Sequence, residues 1–121
     1  MTRNLLITGG SRGIGAATAL RAARAGYDVM LSYAGNAPAA DAVVREVEAM
    51  GRRALAMRAD VADPQAIDAL FAAFDSAFGT LHAFVNNAGI TEQQMRVDEM
   101  SVARLQRVFA TNILGSVLCA Q

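Results

Sequence analysis

The chain predicts an α/β fold, a parallel sheet with helices packed on both faces. Two observations carry this: short apolar runs alternate with longer stretches of helical spacing, and a glycine-rich turn follows the first run and opens the first helix. Leu5-Leu6-Ile7-Thr8 reads as a buried strand, and Gly9-Gly10-Ser11-Arg12-Gly13 as the turn after it. A helix is predicted from about Ile14 to Ala25, carrying Ala16, Ala17, Leu20 and Ala23 and stopped by Gly26. Asp28 to Tyr33 is the second strand, and Ala34-Gly35-Asn36-Ala37-Pro38 is a turn. Pro38 suits the first turn of a helix bearing Val43, Val44, Val47 and Met50, which Gly51 ends. Ala54 to Arg58 is the third strand. Asp63 is a good N-cap before Pro64, opening a helix through Ile67, Leu70, Phe71, Phe74 and Phe78 that Gly79 closes. Leu81 to Val85 gives a fourth strand. Ser101 caps a last helix carrying Val102, Leu105, Val108, Phe109, Ile113 and Leu114 to the end.

With 121 residues the chain suits one domain, residues 1–121, able to bury roughly two-thirds of its unfolded surface. A hydrophobic fraction of 54% against 18% charged residues excludes a disordered chain. A net charge of zero gives no basic field for nucleic acid. The single cysteine, Cys119, excludes an internal disulfide framework. The apolar runs fall far short of the roughly 20 residues a membrane span needs, and the one near the N-terminus is too short for a secretory signal. A soluble, cytoplasmic domain is the expectation. All eleven basic residues are arginine, so lysine is absent.

Thr8-Gly9-Gly10-Ser11-Arg12-Gly13-Ile14-Gly15 sits between a strand and a helix. Glycines there admit unusual backbone angles and let the main chain approach a ligand. The free N–H groups and the positive end of the helix dipole favour a diphosphate. The spacing, Gly-x-x-x-Gly-x-Gly, differs from the Gly-x-Gly-x-x-Gly dinucleotide fingerprint.

These residues resemble the cofactor loop of the short-chain dehydrogenases/reductases, and three further motifs extend the resemblance along the chain. Asp60-Val61 matches the family's adenine-contacting pair. Asn86-Asn87-Ala88-Gly89 matches its Asn-Asn-Ala-Gly motif, and Asn112, in Thr111-Asn112-Ile113-Leu114-Gly115, its catalytic helix asparagine. The resemblance implies a Rossmann-like, doubly wound, three-layer αβα fold with strand order 3-2-1-4. It implies an NAD(P)-dependent oxidoreductase that interconverts a small-molecule carbonyl and an alcohol by hydride transfer. Gly9, Ser11, Arg12, Gly13, Ile14 and Gly15 would hold the phosphates and ribose, and Asp60 and Val61 the adenine. Asn86, Ala88 and Gly89 would face the cofactor ribose, and Asn112 would hold a water in a proton relay. Read without the family, Asp60 is a turn residue, Asn-Asn-Ala-Gly a turn, and Asn112 a structural asparagine.

Cofactor choice turns on the end of the second strand, where an acidic residue binds the ribose hydroxyls and repels a 2′-phosphate. The chain has Ser32-Tyr33-Ala34 there, with no carboxylate before Asp41. Arg12 stands where family members that prefer NADP often carry a base, and a guanidinium meets a phosphate with paired hydrogen bonds. NADP(H) is therefore the expected cofactor, with NAD(H) as the alternative. Tyr33 either stacks near the adenosine or finishes a strand.

His82, with no Cys or second His nearby, reads as structural, and no metal site is expected. Cys119 reads as a small buried hydrophobe, and Phe71, Phe74 and Phe78 as core.

The family's chemistry also uses a serine and a Tyr-x-x-x-Lys pair, the lysine lowering the tyrosine's pKa by its charge. Here the tyrosines are Tyr27 and Tyr33, with Leu31 and Ala37 four residues on. Members run to roughly twice this length, so the chain reads as the cofactor-binding half, truncated before that serine and pair, with little or no turnover of its own. A non-catalytic dinucleotide-binding or assembly module is the alternative. Apolar residues on the last helix predict a homo-oligomer formed through it.

Overall fold

The structure, a computed structural model, describes residues 2–89 and 96–121. The elements in order are β1 (Arg3–Ile7), α1 (Gly13–Arg24), β2 (Tyr27–Tyr33), α2 (Ala37–Ala49), β3 (Ala54–Arg58), α3 (Pro64–Phe78) and β4 (Ala83–Val85). A 3-10 turn (Val97–Glu99) precedes α4 (Val102–Phe109), a π-helical segment (Ala110–Gly115) and α5 (Ser116–Ala120). The four strands are parallel in the order β3-β2-β1-β4, as expected. Leu6 of β1 lies in register between Met30 of β2 and Phe84 of β4.

The central strands are apolar at successive positions because both of their faces are covered, and successive side chains point to opposite faces. Leu5, Ile7, Val29 and Leu31 pack on one face against Ala19 and Ala23 of α1 and Val43 and Val47 of α2. Leu6 and Met30 pack on the other face against Leu70 and Phe74 of α3. Phe71 meets Phe84 edge-on at 5.6 Å between ring centroids, and Phe74 stacks on Phe78 at 5.3 Å. Cys119 joins Val61 and Ile67 in a smaller cluster, buried as expected. No helix is long and apolar enough to cross a membrane among the described residues, nor do these hold a metal-ligating cluster.

Caps set where the helices begin. Asn36 Oδ1 accepts from the Ala39 N–H (3.0 Å), Asp63 Oδ1 from Gln65 N–H (3.0 Å), and Ser101 Oγ from Arg104 N–H (3.1 Å). Helix α1 has no such cap: its N-cap residue is Arg12, which makes no side-chain capping bond.

The structure departs from the sequence expectation at two elements. β4 starts at Ala83 rather than Leu81 because the imidazole of His82 intervenes. Its Nδ1 accepts from Asn4 N–H (3.0 Å) while the His82 N–H donates to the Asn4 carbonyl (3.0 Å). His82 is therefore a structural residue. The last helix, expected to be uninterrupted, widens into a π-helical turn over Ala110–Gly115. The widening coincides with its close approach to the sheet: a Cβ on buried Gly115 would lie within 2.4 Å of the Val61 carbonyl oxygen. Hydrophobic periodicity carries no mark of one extra residue in a turn.

Candidate functional site

A cleft of about 770 Å³ opens beyond the carboxyl ends of the strands, where the chain order reverses between β1 and β4. In open parallel sheets this switch point is where ligands bind. Gly9, Ser11 and Arg12 form one wall, Ser32, Tyr33 and Ala34 the end of β2, and Asp60 and Val61 the turn after β3. Ala88 and Gly89 close the floor after β4, and Ala103, Gln106, Arg107, Ala110 and Thr111 supply the opposite wall.

The glycine turn is held in shape by polar contacts from two neighbouring strands. The Ser32 hydroxyl accepts from Gly9 N–H (3.2 Å), and the Ser32 carbonyl from Gly10 N–H (3.0 Å). The hydroxyl of fully buried Thr8 accepts from both Asn87 N–H (3.1 Å) and Ala88 N–H (3.0 Å). The Asn87 side-chain amide donates to the Gly9 carbonyl at 3.0 Å. Glycine is required at two positions for different reasons. A Cβ on Gly15 would sit 2.1 Å from the Gly9 oxygen, so α1 packs directly on the turn. Gly13 has φ +57° with open space around it, a left-handed conformation that side chains resist.

Around the cleft, Asp60 is exposed and its Oδ1 accepts from Ala62 N–H (2.9 Å), an Asx turn that leaves the second oxygen available. Val61 is buried beside Ile67 and Cys119, presenting backbone rather than side chain. Ile14 is 79% exposed, so its side chain holds nothing in the core. Asn86 lies off the cleft wall: its Nδ2 donates to the Ser116 carbonyl at 2.6 Å and ties β4 to the last helix. Asn112 also lies off the wall, in the π-helical segment, where its Oδ1 stands 3.3 Å from where a Gly89 Cβ would be. Its carbonyl accepts from the Ser116 hydroxyl at 3.1 Å.

The structure thus brings Gly9, Ser11, Arg12, Tyr33, Asp60, Val61, Ala88 and Gly89 to one cleft; Gly13, Ile14, Gly15, Asn86 and Asn112 do not line it. Sequence reasoning assigned no role to Ser32, Thr8, Asn87 or Gly115. Ser32 did leave a signal: a polar residue in a fully buried strand needs a partner. The α4 wall left none, because which helix face meets the cleft depends on packing alone.

Comparison with known proteins agrees with this geometry. A family model for short chain dehydrogenase matches residues 3–121. The chain is 42% identical over 116 residues to an uncharacterized oxidoreductase, YgfF, of Escherichia coli, covering 96% of this chain and 47% of the relative. It is 41% identical over 121 residues to the 3-oxoacyl acyl-carrier-protein reductase FabG of Staphylococcus aureus, covering 100% of this chain and 49% of the relative. A solved short chain dehydrogenase from Burkholderia cenocepacia, in complex with NADP, superposes with a TM-score of 0.94 at 41% identity, over 98% of this chain and 48% of that one. The chain spans about half the length of these relatives. With its sheet order, its glycine turn and this match over nearly its whole length, the chain belongs to the short chain dehydrogenase family.

Proposed function

We propose that this chain, residues 1–121, is the dinucleotide-binding portion of an NADP(H)-dependent oxidoreductase that interconverts a carbonyl and an alcohol. One observation carries the cofactor assignment: α1 starts without a side-chain cap, at Arg12, on a cleft whose β2 end bears no carboxylate. An uncapped helix start with a neighbouring guanidinium suits phosphate groups, and the absence of an acid at β2 removes the repulsion a 2′-phosphate would meet. The complex of the Burkholderia cenocepacia neighbour with NADP supports the same choice.

In this reading Gly9 and Gly15 shape the turn, Ser11, Gly13 and Ile14 present backbone N–H groups to the phosphates, and Arg12 supplies a cation. Tyr33 flanks the adenosine, and Asp60 with the Val61 backbone receives the adenine. Ala88 and Gly89 let the ribose approach the floor, and Asn86 supports them from behind through Ser116. Asn112 serves a proton relay from the π-helical turn. When bound, the nicotinamide supplies or accepts the hydride. The chain's own residues bind and orient it, but its tyrosines, Tyr27 and Tyr33, have no lysine four residues on. Turnover by these residues alone is therefore little or none. The same absence favours the second reading, a non-catalytic dinucleotide-binding module.

Titration with NADPH and NADP+, with carbonyl reduction assayed in parallel, tests both. Binding without turnover supports a binding portion, whereas turnover by the 121 residues overturns the assignment of missing chemistry. No binding of either nucleotide overturns both readings.

A further inference from the structure

The corner between β2 and α2 shows a pattern that the motifs do not account for. Three successive cleft-lining residues have their backbone carbonyls already engaged as hydrogen-bond acceptors. The Ser32 carbonyl accepts from Gly10 N–H (3.0 Å), the Tyr33 carbonyl from Ala59 N–H (2.9 Å), and the Ala34 carbonyl from Arg58 Nε–H (2.9 Å). The first two are backbone bonds that any sequence supplies. The third depends on one side chain, that of Arg58, the exposed last residue of β3, in register with Tyr33. Arg58 does not line the cleft, and its Nε–H engages the carbonyl of Ala34, which does.

We infer that Arg58 is a positioning residue for cofactor choice, acting through Ala34 to keep the corner free of acceptors. This inference rests on the NADP(H) reading above. The 2′ position is where the two cofactors differ: one presents a hydroxyl that seeks an acceptor, the other a phosphate dianion that only accepts. A corner whose three carbonyls are already engaged, with no carboxylate between Ser32 and Ala40, offers the hydroxyl little and does not repel the phosphate. Arg12, on the wall formed by the glycine turn, supplies the attraction. Arg58 supplies the absence of repulsion, which is a different contribution and separable from it.

Because the contact is made by Nε, two substitutions isolate it. In glutamine the side-chain nitrogen stands the same number of bonds from the backbone as arginine Nε, whereas methionine has similar reach and no donor. NADPH and NADH affinities of the chain are measured by nicotinamide fluorescence for the natural chain, Arg58→Gln and Arg58→Met. Arg58→Met should weaken NADPH by about tenfold while NADH changes by less than about twofold, and Arg58→Gln should keep the preference to within about threefold. Equal losses for both nucleotides, or a Gln variant as impaired as the Met variant, would overturn the inference. A natural chain without preference for NADPH overturns the cofactor reading itself, whereas a preference that survives Arg58→Met overturns only the role of Arg58. Should the Met variant not fold, the amide resonances of Ala34 and Gly35 decide. They should shift further on adding 2′,5′-ADP than on adding 5′-ADP, and equal shifts would count against the inference.

Discussion

The Asn87 side-chain amide donates to the Gly9 carbonyl across 3.0 Å, so the end of β4 holds the first glycine of the turn after β1. Thr8, one residue earlier, accepts from the N–H groups of Asn87 and Ala88, which makes the junction reciprocal. Asn87→Ala should lower stability to urea by about 1–2 kcal/mol, the cost of leaving a half-buried carbonyl without its partner. Thr8→Val should cost more, about 2–4 kcal/mol, because two half-buried donors lose their shared buried acceptor, while Thr8→Ser should stay within about 1 kcal/mol of the natural chain. A Thr8→Val chain as stable as the natural one would show that this junction does not hold the sheet ends together.

The two glycines flanking Ile14 should respond differently to a methyl group. Gly15→Ala drives Cβ into the Gly9 oxygen 2.1 Å away, so α1 must move off the turn and nucleotide binding should be lost. Gly13→Ala meets open space and suffers only backbone strain at φ +57°, a cost of about 1–2 kcal/mol. Calorimetric melts and NADPH titrations of the pair test this, and a reversed order of severity would refute the packing argument.

The α4–α5 face exposes Val102 (69%), Phe109 (55%), Ile113 (56%) and Val117 (54%) around an apolar groove of about 530 Å³. A contiguous apolar face of this kind marks an association surface. We expect the chain to self-associate through it, and Phe109→Glu to shift the sedimentation profile towards monomer and raise solubility. A natural chain that sediments as a monomer with a sharp cooperative melt contradicts this expectation.

Burial pushes the Cys119 thiol above its ordinary value, since the thiolate would lose its solvation against Val61 and Ile67. The folded value lies above the unfolded one, so the thiol's contribution to stability is complete below the unfolded pKa. It declines as the pH rises past about 9, where the unfolded chain sheds the proton first. Thermal melts between neutral and alkaline pH should show this loss, and Cys119→Ala should flatten it while lowering stability at neutral pH. The absence of lysine removes the groups that usually dominate this range. Thiol labelling should likewise be slow in the folded chain; an alkaline loss unchanged in Cys119→Ala would exclude the thiol as its cause.

Most of the fold was legible in the sequence because it is written in local terms. Alternating apolar runs, the capping residues Asp63 and Ser101, and glycine stops at Gly26, Gly51 and Gly79 are short-range signals, and the elements fall within a few residues of where these place them. The glycine turn was legible for the same reason, since a backbone that must bend sharply near a helix start leaves few residue types to choose from. The imidazole that delays β4, the π-helical turn beneath Asn112 and the Asn86–Ser116 bond were not legible. Each joins positions at least 30 residues apart or alters a turn without altering the hydrophobic pattern. Local signals therefore account for the strands and most of the helices and for a sharp glycine turn at the start of α1. The tertiary structure alone decided that Ser32, Thr8 and Asn87 lock that loop, that α4 walls the cleft, and that Arg58 reaches the Ala34 carbonyl. The physical reason is that a polar group's partner is fixed by packing, which brings residues 23 to 80 positions apart within hydrogen-bond reach.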